Sequence, residues 1–304
     1  MFNLPNEIKL DLLKWKFNEG GYIPIGDKVI ELGFKFGYSL DYQLDEQLIE
    51  KWKSSLNQRK YLYFSEGIFR PSIKNNLFIT IHQINKDKKY FYLYLKFPSC
   101  PRNMEEMKIA RYFLEQIFRC YFHHINFTLN IFFPEMIKLL FENDKTTKLK
   151  FNGHRTILYY NEQIDPLDFA LNHLAIDELK ITYRKNKATN EDFNRRLLNL
   201  LMNEGARFKK FCCRFFDTQG LFYSFIKQIE TSTNCLNIVP SIEVYATKLF
   251  DIDLNVRAKN KNKNGEITSF ELVNIYNPQI TFLVKNEGRE EGKVYQFQIE
   301  RINE

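Results

Sequence analysis

Glycine is scarce in this chain, with 12 residues among 304. So little glycine leaves few places where backbone could wrap a phosphate. Neither a Gly-x-x-x-x-Gly-Lys-Ser/Thr loop nor a Gly-x-Gly-x-x-Gly turn is present. Gly-x-Ser-x-Gly and His-Glu-x-x-His are missing as well, so the sequence marks of the α/β-hydrolases and the zinc peptidases are absent. Cysteine is sparse at five, without the short paired spacing of a zinc site, and reads as free thiols in a reducing compartment. No apolar run approaches the roughly 20 residues that span a bilayer. Glu7, Lys9, Asp11 and Lys14 interrupt the first apolar positions, so no signal-peptide core forms. The expectation is a cytoplasmic or nuclear protein that is not secreted.

What is plentiful is apolar and aromatic. Hydrophobic residues make up 44% and charged residues 27%, with 29 Phe and 17 Tyr, which excludes a disordered polymer. The length fits about two domains or one extended repeat domain. The formal charge is +7, but 44 basic residues are interspersed with 37 acidic ones. Lys, Asn, Ile, Phe and Tyr are all abundant, the signature of compositional bias rather than of a nucleic-acid footprint. The one concentrated basic patch, Lys259 to Lys263, reads as a solvated loop between strands.

Patterning divides the chain into regions. Leu4, Ile8, Leu12 and Trp15 fall on one helical stripe that opens with Pro5 and carries Glu7 in its first turn. Glycines from Gly20 to Gly37 then interrupt, with short strand-like pieces at Lys28–Leu32 and Phe34–Phe36. A helix is predicted over Gln43–Ser55. Period two takes over at Tyr61–Phe64, Leu77–Ile81 and Tyr90–Phe97, the last two forming a hairpin.

Helices are predicted at Met104–Arg119, Pro134–Phe141, Pro166–His173, Glu191–Asn203 and Gly220–Thr231. Strand-like stretches follow them at Ile125–Phe132, Lys148–Phe151, Leu179–Tyr183, Phe208–Phe216 and Ile242–Tyr245. Repeated helix–strand units of roughly 25 to 35 residues imply successive parallel strands. Two arrangements fit: an irregular array resembling leucine-rich repeats, which is preferred, or an open α/β sheet. Ile267–Ile275, Gln279–Lys285 and Val294–Ile302 read as an antiparallel β meander. The fold class is therefore mixed α/β (α+β): a repeat-like array flanked by an N-terminal helix and hairpin region and a C-terminal meander. The expected boundaries are 1–43, 44–102, 103–250 and 251–304.

Candidate chemistry is thin. Cys212 and Cys213 are adjacent on a predicted strand, so they face opposite ways and cannot clamp one metal. Cys100, Cys120, His123 and His124 lack zinc spacing. His82, His154 and His173 look isolated, and no thiol–imidazole pair stands out for nucleophilic catalysis. No cofactor or metal is expected. Lys209, Lys210, Arg214 and Phe216 could stack on and neutralise RNA, an alternative that steep salt dependence would reveal. The terminal amphipathic helix could instead dock in a partner's groove or fold back on the body.

Leu4 to Leu13 resembles the opening of an F-box, the helical module that binds the Skp-type adaptor of a cullin–RING ubiquitin ligase. Pro101–Met107, Phe133–Lys145, Leu171–Leu174 and Val273–Pro278 are similar, in texture and order, to nematode F-box domain-containing proteins. The helical pattern stops after Trp15, where an F-box continues with further helices, so the segment reads as a truncated or degenerate box. The resemblance implies adaptor binding through Leu4, Pro5, Ile8, Leu12 and Leu13, and a body that recruits a protein target without catalysing a reaction. The alternative is a stand-alone binding or scaffold protein whose box has decayed.

Overall fold

The computed structural model describes residues 29–32, 44–58, 76–84, 90–98, 101–127, 134–142, 149–160, 166–182, 191–215, 219–246, 258–265, 267–288 and 295–302. The helix expected from Leu4 to Trp15, with its five adaptor-contact residues, lies outside them, as do Phe34–Phe36 and Tyr61–Phe64. The chain forms two compact units. One takes residues up to Cys120 together with 129–149; the other takes 121–128 and 150–304.

The first unit holds a three-stranded sheet in the order β1-β3-β2 and the helices α1, α2 and α3. β1 is Val29–Leu32, β2 is Asn76–Ile84 and β3 is Tyr90–Pro98. β2 and β3 pair antiparallel from Asn76↔Pro98 to Ile84↔Tyr90, the hairpin read from their period-two pattern, and β1 adds parallel to β3. The helices are α1 (Glu46–Gln58), α2 (Met104–Phe118) and α3 (Pro134–Phe141).

Asn103 caps α2 by accepting from the Glu106 amide at 2.9 Å, and the Glu106 carboxylate accepts from the Arg102 amide at 2.7 Å. Both bonds satisfy amides that a helix start leaves without intrahelical partners. Trp52 of α1 is fully buried and donates its indole N–H to the Leu139 carbonyl at 2.9 Å. Arg111 donates to the Leu140 carbonyl at 2.6 Å while its guanidinium lies 5.0 Å from the Phe141 ring centre. A cation at the last carbonyls of α3 answers the negative end of that helix.

The second unit is one nine-stranded sheet in the order β4-β5-β6-β7-β8-β12-β11-β10-β9. Its parallel strands are β4 (Tyr121–Phe127), β5 (Phe151–Tyr159), β6 (Leu174–Thr182), β7 (Lys210–Phe215) and β8 (Ser241–Ala246). β9 (Lys259–Asn264), β10 (Ile267–Val273), β11 (Thr281–Gly288) and β12 (Tyr295–Arg301) form the antiparallel remainder. The connections from β5 to β8 carry α4 (Pro166–His173), α5 (Glu191–Asn203) and α6 (Gln219–Thr231).

Two expectations are corrected here. The parallel strands do follow one another in chain order, but β8 then pairs antiparallel with β12, so the array and the meander share one sheet. The open α/β sheet is the arrangement observed, and no leucine-rich-repeat solenoid is indicated. The Lys259–Lys263 stretch is not a loop but the strand β9, every residue of it exposed. Its order comes from main-chain pairing with β10, which no apolar side-chain pattern announces, and lysines along an edge discourage further strands from adding.

Strands β5 to β8 alternate buried and less buried residues instead of being apolar throughout, so one face of the parallel part packs a core and the other does not. Right-handed crossovers between strands laid down in one direction put their helices on a single face. On that face Phe127 meets Phe151 and Phe169 edge-on, with ring centres 5.2 and 5.4 Å apart, while Phe222 and Phe225 of α6 close on Phe297 at 5.0 and 6.2 Å. Gly205, in a single helical turn at Gly205–Arg207, is required by close approach: a Cβ there would lie 2.3 Å from the Val239 amide nitrogen.

Candidate functional site

The polar face of the second unit is built by an irregularity shared between strands. In β5 the buried positions run Phe151, Gly153, Thr156, Leu158, and in β6 they run Leu174, Ile176, Leu179, Ile181. Each series contains one step of three where a regular strand steps by two. The strands slip together, with Gly153 opposite Ile176 and Arg155 opposite Glu178, while β4 places Phe122 opposite Gly153 and His124 opposite Arg155. The skipped residues His123, His154 and Asp177 consequently sit at one level.

His154 Nδ1 is 3.1 Å from an Asp177 carboxylate oxygen and its Nε2 is 3.5 Å from Glu178. The His123 and His154 rings meet edge-on at 5.4 Å. Lys209 Nζ reaches Asp177 at 3.0 Å, and Arg155 donates to Glu178 at 2.6 Å. Hydrogen bonds from His154 first and Lys209 second hold the Asp177 carboxyl below its ordinary range. His154 is thus no isolated histidine. His173 packs against Phe169, with centres 5.3 Å apart, and the side chain of His82 lies outside the described residues.

One step along the sheet, Glu178 stands opposite Lys210, Lys180 opposite Cys212, and Cys212 opposite Glu243. Glu243 has only 12% of its side chain exposed. It accepts from Lys210 at 2.7 Å, from Gln296 at 2.6 Å and from the Tyr245 hydroxyl. Burial pushes its pKa up, but hydrogen bonds from Lys210 and Tyr245 and the charges of Lys210 and Lys180 outweigh that, and the net displacement is downward. The bond from Lys210 to Glu243 raises the lysine in turn, against its partial burial. Burial is also the largest influence on Cys212, pushed up to about 11 despite the lysines and arginine around it. Cys213 faces the core, fully buried, with burial raising it well above an ordinary thiol.

Asp177 and Glu243 are held as carboxylates by cationic or neutral donors, and the half-buried Cys212 thiol is held protonated. A poised base or nucleophile needs a pKa brought toward neutrality, and these shifts run the other way. The arrangement suits recognition through fixed charges and hydrogen-bonding groups. Among the described residues no group of three or more His, Cys, Asp or Glu is placed to hold a metal. Of the residues considered for RNA, Lys209 and Lys210 pair with Asp177 and Glu243, Arg214 is exposed, and Phe216 lies outside the described residues. No helix among the described residues is long and apolar enough to cross a membrane.

The clusters around Asp177 and Glu243 are invisible to motif reasoning, because their members come from separate strands and meet only through register. The one available signal was an aliphatic strand interrupted by adjacent polar residues, as at His154–Arg155 and Asp177–Glu178.

Known proteins give little help. Residues 37–185, just under half of the chain, match a family described as a domain of unknown function, DUF8381. That match replaces the resemblance to nematode F-box proteins: it is the DUF8381 family, not an F-box family, that the sequence matches. No curated protein matches the chain. The crystal structure of an S-adenosylmethionine-dependent methyltransferase from Clostridium acetobutylicum ATCC 824 aligns over 64% of this chain and 70% of its own, at 8% identity and a TM-score of 0.15. A score that low carries neither fold nor chemistry from one chain to the other. What this chain is similar to over 37–185 is therefore a family without an assigned function.

Proposed function

We propose that the chain is a non-enzymatic binding protein whose polar sheet face, from β5 across to β12, engages a protein target. One observation carries this reading. The acids Asp177, Glu178 and Glu243 are answered by Lys209, Arg155 and Lys210, and the Cys212 thiol is pushed up to about 11, so the face presents paired charges held in fixed register. Rows of alternating sign across a sheet discriminate between partners through charge register, since a like-charge juxtaposition is penalised.

The test uses the full chain as bait beside a variant carrying Lys180→Glu and Arg214→Glu, with Lys227→Glu on the exposed side of α6 as control. A captured protein is then purified and its affinity measured directly. The expected result is one protein bound by wild type and by Lys227→Glu, and bound at least tenfold more weakly by the face variant. Equal affinity for both variants overturns the assigned face. Association abolished by ribonuclease treatment, or turnover of the captured protein by the purified chain, overturns the binding-protein reading itself.

A further inference from the structure

A cavity of about 350 Å³ opens in the second unit at the amino-terminal ends of β4, β5 and β6, beside the turn that leads into β7. The polar sheet face does not account for it. Lys150 and Arg207 both line this space, together with Asp177, Tyr121 and the largely buried Phe208. Arg207 is anchored by donating to the Leu171 carbonyl in the last turn of α4 at 2.8 Å, a bond that orients the guanidinium without neutralising it. Asp177 does not serve as its counter-ion, because the carboxylate is taken by His154 at 3.1 Å and Lys209 at 3.0 Å. Among the described residues neither Lys150 nor Arg207 has a carboxylate within ion-pair distance.

Two like charges thus share one concavity, and among the described residues neither is paired with the one carboxylate that lines it. Burial, and then the Arg207 charge, lower the Lys150 pKa, as expected for a cation held where its charge is unwelcome. Gly153 also lines the space, and a Cβ there would press to 2.7 Å from the Phe122 carbonyl oxygen. Tyr121, which also lines the space, is 68% exposed. The size falls at the small end of the range for ligand pockets, roughly 300 to 1,000 Å³.

We propose that this cavity binds a small organic anion, its oxyanion head held between Lys150 and Arg207 and its apolar body laid against Tyr121 and Phe208. An arginine fork beside a lysine suits a carboxylate or a phosphate ester equally in sign. The site borders the polar face at Asp177, but neither of its cations belongs to the ion pairs of that face, so Lys150→Met tests the cavity apart from the protein-binding reading.

Titration calorimetry on the full chain tests it, with phenyl phosphate, phenylacetate, inorganic phosphate and benzyl alcohol as probes. Saturable binding of phenyl phosphate or phenylacetate is expected, whichever is tighter naming the head group. Inorganic phosphate should bind more weakly and benzyl alcohol not at all. Lys150→Met should weaken the preferred anion about tenfold or more, and adding Arg207→Gln should abolish binding, while Lys227→Met leaves it unchanged. If Arg207→Gln lowers the melting temperature by removing the bond to Leu171, Lys150→Met alone decides. Absence of saturable binding by either aromatic anion at millimolar concentration overturns the proposal. So does an affinity indifferent to Lys150→Met, or benzyl alcohol binding as tightly as the anions.

Discussion

The side-chain amide of Asn274 donates to the main-chain oxygen of Ile229 at 2.6 Å, joining the end of β10 to the last turns of α6. The same nitrogen donates to Ser232 at 2.9 Å, and the side-chain oxygen accepts from the amides of Tyr276 and Asn277 at 2.8 Å each. Asn274 is 1% exposed, so these four bonds stand in for water at a helix end and a turn that would otherwise be buried unsatisfied.

Replacing Asn274 with alanine should therefore cost about 2 to 4 kcal/mol, because several buried groups lose partners at once. Asn274→Asp should be no better, since a carboxylate cannot donate to the two carbonyls. Urea unfolding checks both: the midpoint falls while the slope stays constant. A midpoint unchanged for Asn274→Ala would show that water replaces the side chain.

Gly205→Ala is expected to destabilise by about 1 to 3 kcal/mol, the usual penalty for forcing atoms into a packed site. The opposing atoms at 2.3 Å and 2.8 Å are backbone, the Val239 nitrogen and the Asn237 oxygen, so no rotamer change relieves the contact. Gly220→Ala is the control: it sits in α6 with nothing within 4 Å of the added Cβ and should be neutral or stabilising. Thermal midpoints of the two variants should move in opposite directions or differ clearly in size.

The Lys210–Glu243 pair gives stability a pH dependence with a definite sign. Glu243 titrates lower in the folded chain than in the unfolded one. Its contribution is present above the unfolded glutamate value of about 4.3 and fades as pH falls through the folded value. Lys210 titrates higher when folded. Its contribution is full below the unfolded lysine value of about 10.4 and fades as pH rises through the folded one. Glu243→Gln should lose about 1 to 2 kcal/mol at neutral pH and flatten the acid limb of the stability curve. Parallel acid limbs for variant and wild type would show that the pair is not linked to folding.

Thiol chemistry should grade by position. Cys213 is fully buried, and Cys212 is shifted to about 11. Iodoacetamide at neutral pH should therefore leave Cys213 unlabelled in the native chain, modify Cys212 slowly, and modify both at once in denaturant. Peptide mass spectrometry at timed quenches reads the order. Rapid native labelling of Cys212 would restore it as a candidate nucleophile.

The helices α2 to α5 were legible because each carries local signals: proline at the first position of α3 and α4, acidic first turns in α2 and α5, and apolar stripes such as Phe193, Leu197, Leu200 and Leu201. Their boundaries follow from short-range hydrogen bonding and side-chain spacing, and both are written in neighbouring residues. β5 was harder. Its expected stretch, Lys148–Phe151, ends where the strand begins, because the three-residue step at Gly153–Thr156 breaks the period-two pattern on which recognition relies.

Composition and periodicity alone determined that this chain folds around an aromatic core, alternates helix with strand and closes on a meander. These are local and statistical properties, and burial of apolar surface enforces them in any arrangement. Only the tertiary structure decided that β8 accepts β12, that His154 meets Asp177, that Lys210 meets Glu243, and that Lys150 and Arg207 share a cavity. Residues 23 to 59 positions apart come together there through strand register and crossover order. No short stretch of sequence specifies such a meeting, because it is fixed by how all nine strands pack at once.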